Sequence, residues 1–500
     1  MINSIIIPSA ILGRYYFLVV LNMKEKTESS APSWQMYIWW IVRAFMVFAL
    51  FTAPTAPKKL AVGISLLACF AVTVARKTFF RSLNEKLQTC ICLTAFLGSG
   101  LGFGLDIFQK FPEYDMLLNF FGGIIGTVIG YYISISLRKP YKKKGYCFTV
   151  IMSFFISNTF LVIREIAQFF IDFYTGRNLL HCEAVGDDFW LFKVVGPMLS
   201  LPEHRFLYDF SLDIVMTVVG AVITTAVLYL YLVNKHREIF ALEKKSLKGL
   251  FSNFPERCKD KIAFEIEKVR QQTNTADMLL WWCTRILMVY AFLTIENKAE
   301  GVLMLVVSLG TFAITAIHLI FPKESIFCKI NYRVQSLLCI IVFLGSYCGN
   351  YAYLYAYTSR FDTLLHFVSG FISATAGYYI GLTLVKPLSK KENLALCLFA
   401  LAFSMTVIPI HEMVEFIGDY IWGTTNQGFM WDPLPENVML YKVFGHGVGN
   451  LKLMKIYDTM YDMVLATTSA VMSFVYMFFF LEKKAKKSVK VSMERETVTC

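Results

Sequence analysis

Two stretches of this chain, 247 positions apart, carry the same order of acidic, polar and small residues inside otherwise apolar segments. Tyr114-Asp115-Met116-Leu117-Leu118-Asn119 corresponds to Phe361-Asp362-Thr363-Leu364-Leu365-His366. The register then holds without a gap through Gly123 and Gly370, Pro140 and Pro387, Glu165 and Glu412, Gln168 and Glu415, and Asp172 and Asp419. Further along the offset becomes 249, matching Asp209 and Asp213 to Asp458 and Asp462; upstream it becomes 242, matching Trp39-Trp40 and Arg43 to Trp281-Trp282 and Arg285. Offsets that drift only between segments mean that loops changed length while the elements did not. The chain is a tandem duplication, and its fold must be two similar units.

What solvent those units fold in follows from composition. Apolar residues make up 56% of the chain and charged residues 17%, with a mean hydropathy of +0.54, well outside the range of soluble domains. Runs of roughly 18 to 25 apolar residues, each able to cross a bilayer core of about 30 Å, lie near 36–53, 60–75, 87–105, 115–137, 146–172 and 208–233. Their partners lie near 278–295, 301–320, 334–355, 362–385, 393–421 and 456–481. The expected fold is therefore all-α and polytopic, about twelve transmembrane helices in two six-helix repeats.

A formal charge of +12 raises the question of a nucleic-acid partner, but its placement points to the bilayer as the partner. Arg76, Lys77, Arg81 and Lys86 follow the second apolar segment, and Arg138, Lys139, Lys142, Lys143 and Lys144 follow the fourth. Lys323, Lys329 and Arg333, then Lys386, Lys390 and Lys391, then Lys483, Lys484, Lys486 and Lys487 fall at the same places in the second repeat. Basic residues stay on the cytoplasmic side, so both termini and the central linker are expected there, with Lys58 and Lys59 as minor dissenters. An even number of helices gives both repeats one orientation, related by a pseudo-twofold along the membrane normal. The domains expected are an N-terminal segment 1–33, a first repeat 34–233, a basic linker 234–277 that is part helix, a second repeat 278–482 and a basic tail 483–500. Residues 1–22 are apolar without a basic n-region and read as an over-extended start or a surface helix. The twelve cysteines are scattered with no C-x-x-C pair, so neither a disulfide framework nor a thiolate metal site is signalled.

With that topology, the fourth, fifth and sixth helices of each repeat bring carboxylates to one outer level. The first repeat offers Asp115 and Asn119, then Glu165, Gln168 and Asp172, then Asp209 and Asp213; the second offers Asp362 and His366, then Glu412, Glu415 and Asp419, then Asp458 and Asp462. Spacings of three, four and seven put each set on one helix face. A ridge of Gly122, Gly126 and Gly130, and a stripe of His366, Gly370 and Ala374, suit close helix packing. The polar faces are thus expected to point into the bundle, because a charge in hydrocarbon costs about 2.5 to 3.5 kcal/mol on insertion scales.

An Asp followed by His and Gly on one helix, Glu-x-x-Glu on the next and Asp-x-x-x-Asp on the third resembles the YjdF-like integral membrane proteins of unknown function and, more distantly, the VanZ-like proteins of bacterial envelopes. Asp362, His366, Gly370, Glu412, Glu415, Asp458 and Asp462 carry the likeness, over the last three helices of each repeat. The first repeat departs from it at Asn119 and Gln168. The resemblance implies a bacterial plasma-membrane protein with an extracytoplasmic polar site that acts near cell-envelope precursors. It supplies no reaction.

The second repeat has the more reactive inventory. His366, Glu412, Glu415 and Asp462 form a candidate divalent-cation set, since mixed imidazole and carboxylate donors suit Zn, Mn or Fe. His366, Glu412 and Glu415 are also candidate general acids and bases, because crowded carboxylates raise one another's pKa. Asp362, Asp419, Asp458 and Asp462 are the candidate substrate-binding groups. His411-Glu412-x-x-Glu415 lacks the second His of the H-E-x-x-H zinc motif, and the first repeat has Arg164 in place of His411, which argues against a protease. The Gly445-His446-Gly447-Val448-Gly449 run lies in an outer loop and suits a lid formed by 422–455 better than a phosphate cradle. Arg43 and Arg285, each beside tandem Trp, read as interfacial anchors. Three function classes fit: an enzyme or binding protein for a lipid-linked envelope substrate, a proton- or cation-coupled transporter, and a structural or partner-binding protein. The oligomeric state is left open.

Overall fold

The computed structural model of the chain describes residues 33–74, 85–175, 208–238, 254–321, 325–422 and 457–481, apart from a few positions inside those ranges. Among them every regular element is helical. The first repeat runs through α1 (Ser33–Thr52), α2 (Ala56–Ala68), α3 (Glu85–Ala95, continued by Phe96–Gly104), a short α4 (Ile107–Lys110), α5 (Glu113–Leu137), α6 (Lys143–Thr175) and α7 (Tyr208–Lys235). Between the repeats lies α8 (Phe254–Gln272). The second repeat follows with α9 (Thr275–Thr294), α10 (Lys298–Gly310), α11 (Ala313–Ile320), α12 (Arg333–Val342, continued by Phe343–Tyr351), a short α13 (Leu354–Tyr357), α14 (Arg360–Leu384), α15 (Lys390–Trp422) and α16 (Tyr457–Tyr476).

Ten of the described helices are long and apolar enough to cross a membrane, which makes the chain a polytopic integral membrane protein. The two apolar segments missing from an expected twelve are the second of each repeat, and both are broken. After α2 the chain turns at Cys69 and Phe70, and between α10 and α11 it turns at Thr311 and Phe312.

The duplication extends to backbone irregularities. Both α3 and α12 widen into π-helical turns over Phe96–Gly104 and Phe343–Tyr351. Each is followed by the same left-handed residue, Asp106 at φ 58° and Tyr353 at φ 56°. Neither is a glycine, the residue for which that conformation is cheap. Just before this bend Gly102 lies against the Phe108 ring and Gly349 against the Tyr355 ring, with no room for a Cβ at either.

Close helix crossings repeat as well. A methyl group on Gly123 would overlap the Thr217 carbonyl oxygen, and one on Gly370 the Ala466 carbonyl oxygen, so α5 meets α7 and α14 meets α16 at backbone distance. Ser157 donates to the Gly123 carbonyl at 2.9 Å and Ser404 to the Gly370 carbonyl at 3.0 Å, which ties in α6 and α15. The ridge is therefore Gly123, Gly126 and Gly130; Gly122, expected in it, faces open space.

The repeats join along α6 and α15. Phe148 stacks on Phe399 with centroids 5.0 Å apart, and Phe155 meets Phe399 and Phe403 edge-on. Nearer the polar sites, Leu161, Val162, Phe169 and Ile214 share one buried core with Met405, Ile408, Met460 and Met463. The amphipathic α8 docks on the second repeat. Its Lys261 reaches the Leu319 and Phe321 carbonyls at the end of α11, and its Glu265 accepts from the Tyr332 hydroxyl at 2.9 Å and pairs with His318 at 2.9 Å. An Asn274–Asp277 capping box then starts α9.

Candidate functional site

Helices α14, α15 and α16 bring the second set of polar residues together. His366 is buried at the centre. Its Nε2 lies 3.6 Å from Asp362 Oδ1, one turn earlier on α14, and 3.5 Å from Asp462 Oδ2 on α16. Its Nδ1 faces Glu412 Oε1 of α15 at 3.9 Å. Beside Glu412 on α15, His411 Nε2 lies 3.4 Å from Glu415 Oε1 one turn later, and the His366 and His411 rings are 5.5 Å apart. Two groups of donors, Asp362 with His366 and Asp462, and His366 with His411 and Glu415, are each close enough to share one metal ion. Of the residues expected in the cation set, Asp462 stands on the same ring nitrogen of His366 as Asp362 does, while Glu412 stands behind on the other nitrogen. Asp419 and Asp458 belong to α15 and α16, but their side chains lie outside the described ones, as does the proposed lid 422–455 beyond the end of α15.

The first repeat places the matching residues on the matching helices, with different chemistry. Arg164, in the place of His411, donates from Nη1 to Asn119 Oδ1 and from Nη2 and Nε to Glu165 Oε1, the latter at 2.9 Å; Nη2 also lies 3.4 Å from Asp213 Oδ2. Asn119 and Glu165 are buried, whereas Arg164, Asp115, Gln168 and Asp213 are half-buried. Asp172 is buried one turn beyond Gln168. Asp209 falls on α7 with its side chain outside the described ones. By sequence Arg164 serves only to reject the zinc-protease pattern; in the structure its guanidinium is the centre of the first site.

Sequence reasoning passes over two further residues of the second site. Tyr355, on α13, stands beside Asp362, Glu415 and Asp462, and burial together with those carboxylates pushes its phenol well above the usual tyrosine range, so it stays a neutral hydroxyl. Phe108 occupies that place in the first repeat, so the hydroxyl belongs to the second site only. Pro409 sits inside α15 two residues before His411, where it removes a backbone N–H from the helix ladder. The signal for Tyr355 was available in the 247-residue register, but it lies on a one-turn helix outside the polar faces of the long helices.

Two intact copies of the site, one per repeat, call for a match that is itself repeated. A family described as predicted membrane proteins (DUF2238) matches residues 35–234 and again residues 278–483. The chain belongs to this family. No curated protein and no solved structure matches it. What DUF2238 membership establishes is a tandem membrane protein; it does not extend to the YjdF-like or VanZ-like names that the motifs suggest.

Each DUF2238 repeat also contains a second polar feature, at the break in its second apolar segment. Arg43 and Arg285 are not anchors at the ends of their helices; they are buried mid-helix in α1 and α9. Arg43 donates to the Cys69 carbonyl at 2.8 and 3.3 Å, and Arg285 to the Thr311 carbonyl at 2.8 Å and the Thr311 hydroxyl at 3.3 Å. Each guanidinium also lies over the next aromatic ring, Phe70 at 4.0 Å and Phe312 at 3.7 Å. On the far side of the break, Gln88 accepts from the Thr73 amide at 3.2 Å and Gln335 from the Thr315 amide at 3.1 Å. A broken helix in lipid must have its freed backbone groups satisfied from within, and an arginine and a glutamine at matching positions contribute to this in both halves.

Proposed function

We propose that this protein binds a divalent cation in the outer half of its second repeat and, through it, the anionic head group of a lipid-linked envelope substrate in the bacterial plasma membrane. The observation that carries the reading is the spacing of the donors around His366. Separations of 3.6 and 3.5 Å from His366 Nε2 to Asp362 and Asp462 are longer than good hydrogen bonds. They match donors sharing one ion, since ligands bound at about 2.1 Å in tetrahedral geometry stand about 3.4 Å apart. His366 Nε2, Asp362 and Asp462 would hold the ion and leave a fourth position open, with His411 and Glu415 beside it. Glu412 behind Nδ1 is placed to orient the imidazole, the usual role of a carboxylate one step removed from a metal.

The same arrangement suits Mn or Zn better than Mg, because it mixes nitrogen with oxygen donors. An acidic cavity repels a phosphate; a cation with open positions attracts one. Catalysis by Glu412 or Glu415 as general base follows if the bound group is hydrolysed, and turnover of that group is the observation that would make the protein an enzyme. The orientation rests on the basic loops, which put both termini and the linker in the cytoplasm and the site outside. Lys58, which dissents from that rule, is ion-paired with Asp106.

The test is binding of a polyprenyl phosphate by the full chain in nanodiscs, with Mn²⁺ and with EDTA. Cation-dependent binding that His366→Ala abolishes is the expected result; equal binding in EDTA would remove the cation from the reading. A second reading, a transporter, has its own observation. Paired broken helices in corresponding positions of two repeats are the architecture of many transporters, and both breaks here are held by a buried arginine. Uptake into proteoliposomes that Arg43→Met and Arg285→Met abolish would favour it.

A further inference from the structure

The two polar sites differ most sharply at one pair of positions, Arg164 and His411. Around Arg164 stand Asn119, Glu165 and Asp213, and Asp115 acts on it electrostatically. Around His411 and His366 stand Glu412, Asp462, Asp362 and Glu415. Residue by residue these are the same places on the same three helices. In the first repeat they converge on a guanidinium, a cation that cannot lose its proton in a protein.

From this correspondence we infer that the side chain at position 164 or 411 decides which cation neutralises each site. Arg164 is a permanently tethered cation that takes the place of a metal ion in the first repeat. His411 is its short counterpart in the second, where the same space is given to an exchangeable divalent ion. The inference rests on the cation reading of the second site, and it adds that the first site is a fixed-charge copy which binds no metal and no phosphate through metal.

The geometry supports the exchange in physical terms. A guanidinium presents five donors in one plane and reaches three acceptors from three helices at once. Here Asn119 on α5, Glu165 on α6 and Asp213 on α7 are those acceptors. A divalent ion in the second repeat would bridge the same three helices, α14, α15 and α16. The replacement of His366 by Asn119 fits as well. An amide oxygen accepts from Arg164 without carrying charge, whereas an imidazole nitrogen is a metal ligand.

His411→Arg is the direct test, since His411 is half exposed and a longer side chain has room to turn toward Glu412. Full-length wild type and variant are compared in detergent by elemental analysis and by thermal unfolding, with Mn²⁺ or Zn²⁺ added one at a time and with EDTA. The expected variant loses the ion, stops responding to EDTA, and unfolds in EDTA near the temperature of metal-loaded wild type. A variant that keeps a stoichiometric ion, or that loses it and is no more stable than EDTA-treated wild type, overturns the inference. Should wild type itself hold no ion, the cation reading fails by itself, and the unfolding temperature of His411→Arg still reports whether the site accepts a tethered charge. The triple exchange Arg164→His, Asn119→His and Gln168→Glu, which restores the donors of the second site, is the second arm. It should make the first repeat metal-responsive and raise the stoichiometry from one to two; a destabilised protein with no added response to either metal would mean that Arg164 is only a structural ion-pair partner.

Discussion

At the scale of single residues the two halves of the molecule are a natural substitution experiment. Four exchanges separate the second site, proposed to hold an ion, from the first, closed by its own Arg164: His366 for Asn119, His411 for Arg164, Glu415 for Gln168, and Tyr355 for Phe108. His366→Ala should remove the metal response of thermal unfolding entirely. Asn119→Ala should leave that response intact and lower stability by about 1–3 kcal/mol, because a polar partner of Arg164 is lost inside the bundle. Both outcomes are read from unfolding curves with and without Mn²⁺. Tyr355→Phe should weaken Mn²⁺ binding about tenfold, the common cost of losing a group that supports a ligand, while leaving the unfolding temperature in EDTA unchanged; isothermal titration measures the first and a thermal scan the second. The sequence made most of these residues legible because polar side chains in an apolar helix are costly unless used. It did not reveal the role of Arg164, since nothing in a linear pattern shows that a guanidinium on α6 reaches α5 and α7. Tyr355 was hidden for another reason, as a tyrosine on a one-turn helix between the long ones has no cost that would draw notice.

At the scale of elements, the long helices were legible from hydropathy and their crossings only in part. Gly370 and Gly126 were read as packing positions, and they are. Gly122 was read as one and is not, because three- and four-residue spacings admit two adjacent stripes and only the partner helix chooses between them. The consequence is measurable. Gly123→Ala or Gly370→Ala should destabilise by about 1–3 kcal/mol or more, as overpacking does, whereas Gly122→Ala, facing open space, should be neutral or stabilising by up to about 1 kcal/mol through helix propensity. Unfolding temperatures of the three variants compare them directly. The breaks at Cys69 and Thr311 were not legible, because the residues there are apolar or small and carry no proline or paired glycine. Their signature lay elsewhere in the chain, in Arg43 and Arg285, which a hydropathy reading assigns to the interface. Arg285→Met should cost about 1–3 kcal/mol by leaving the Thr311 carbonyl without its donor, and the matching Arg43→Met should cost a similar amount.

The whole molecule is two copies of one polytopic unit joined through α6 and α15, and duplication explains both its architecture and its asymmetry. On the proposed cation reading, one copy holds an exchangeable ion while the other has traded it for the tethered charge of Arg164. Fold class, the duplication and the polar helices were legible because they are periodic and repeated; the substrate was not, because no stretch of the sequence carries a pattern specific to one. Orientation is testable at this scale. With the twelve native cysteines replaced, a cysteine placed in 423–450 should react with an impermeant reagent from outside the cell and one placed in 246–272 should not; reversed labelling would turn the site toward the cytoplasm. The account as a whole stands on the cation, and metal content is its most direct measure. Elemental analysis of the purified full chain should find about one Mn or Zn per molecule, and about none in Asp462→Asn. The bound ion should stabilise the fold by about 2.7 kcal/mol at a hundred times its Kd. A wild-type protein with no stoichiometric metal, whose unfolding ignores Mn²⁺, Zn²⁺ and EDTA alike, would contradict it.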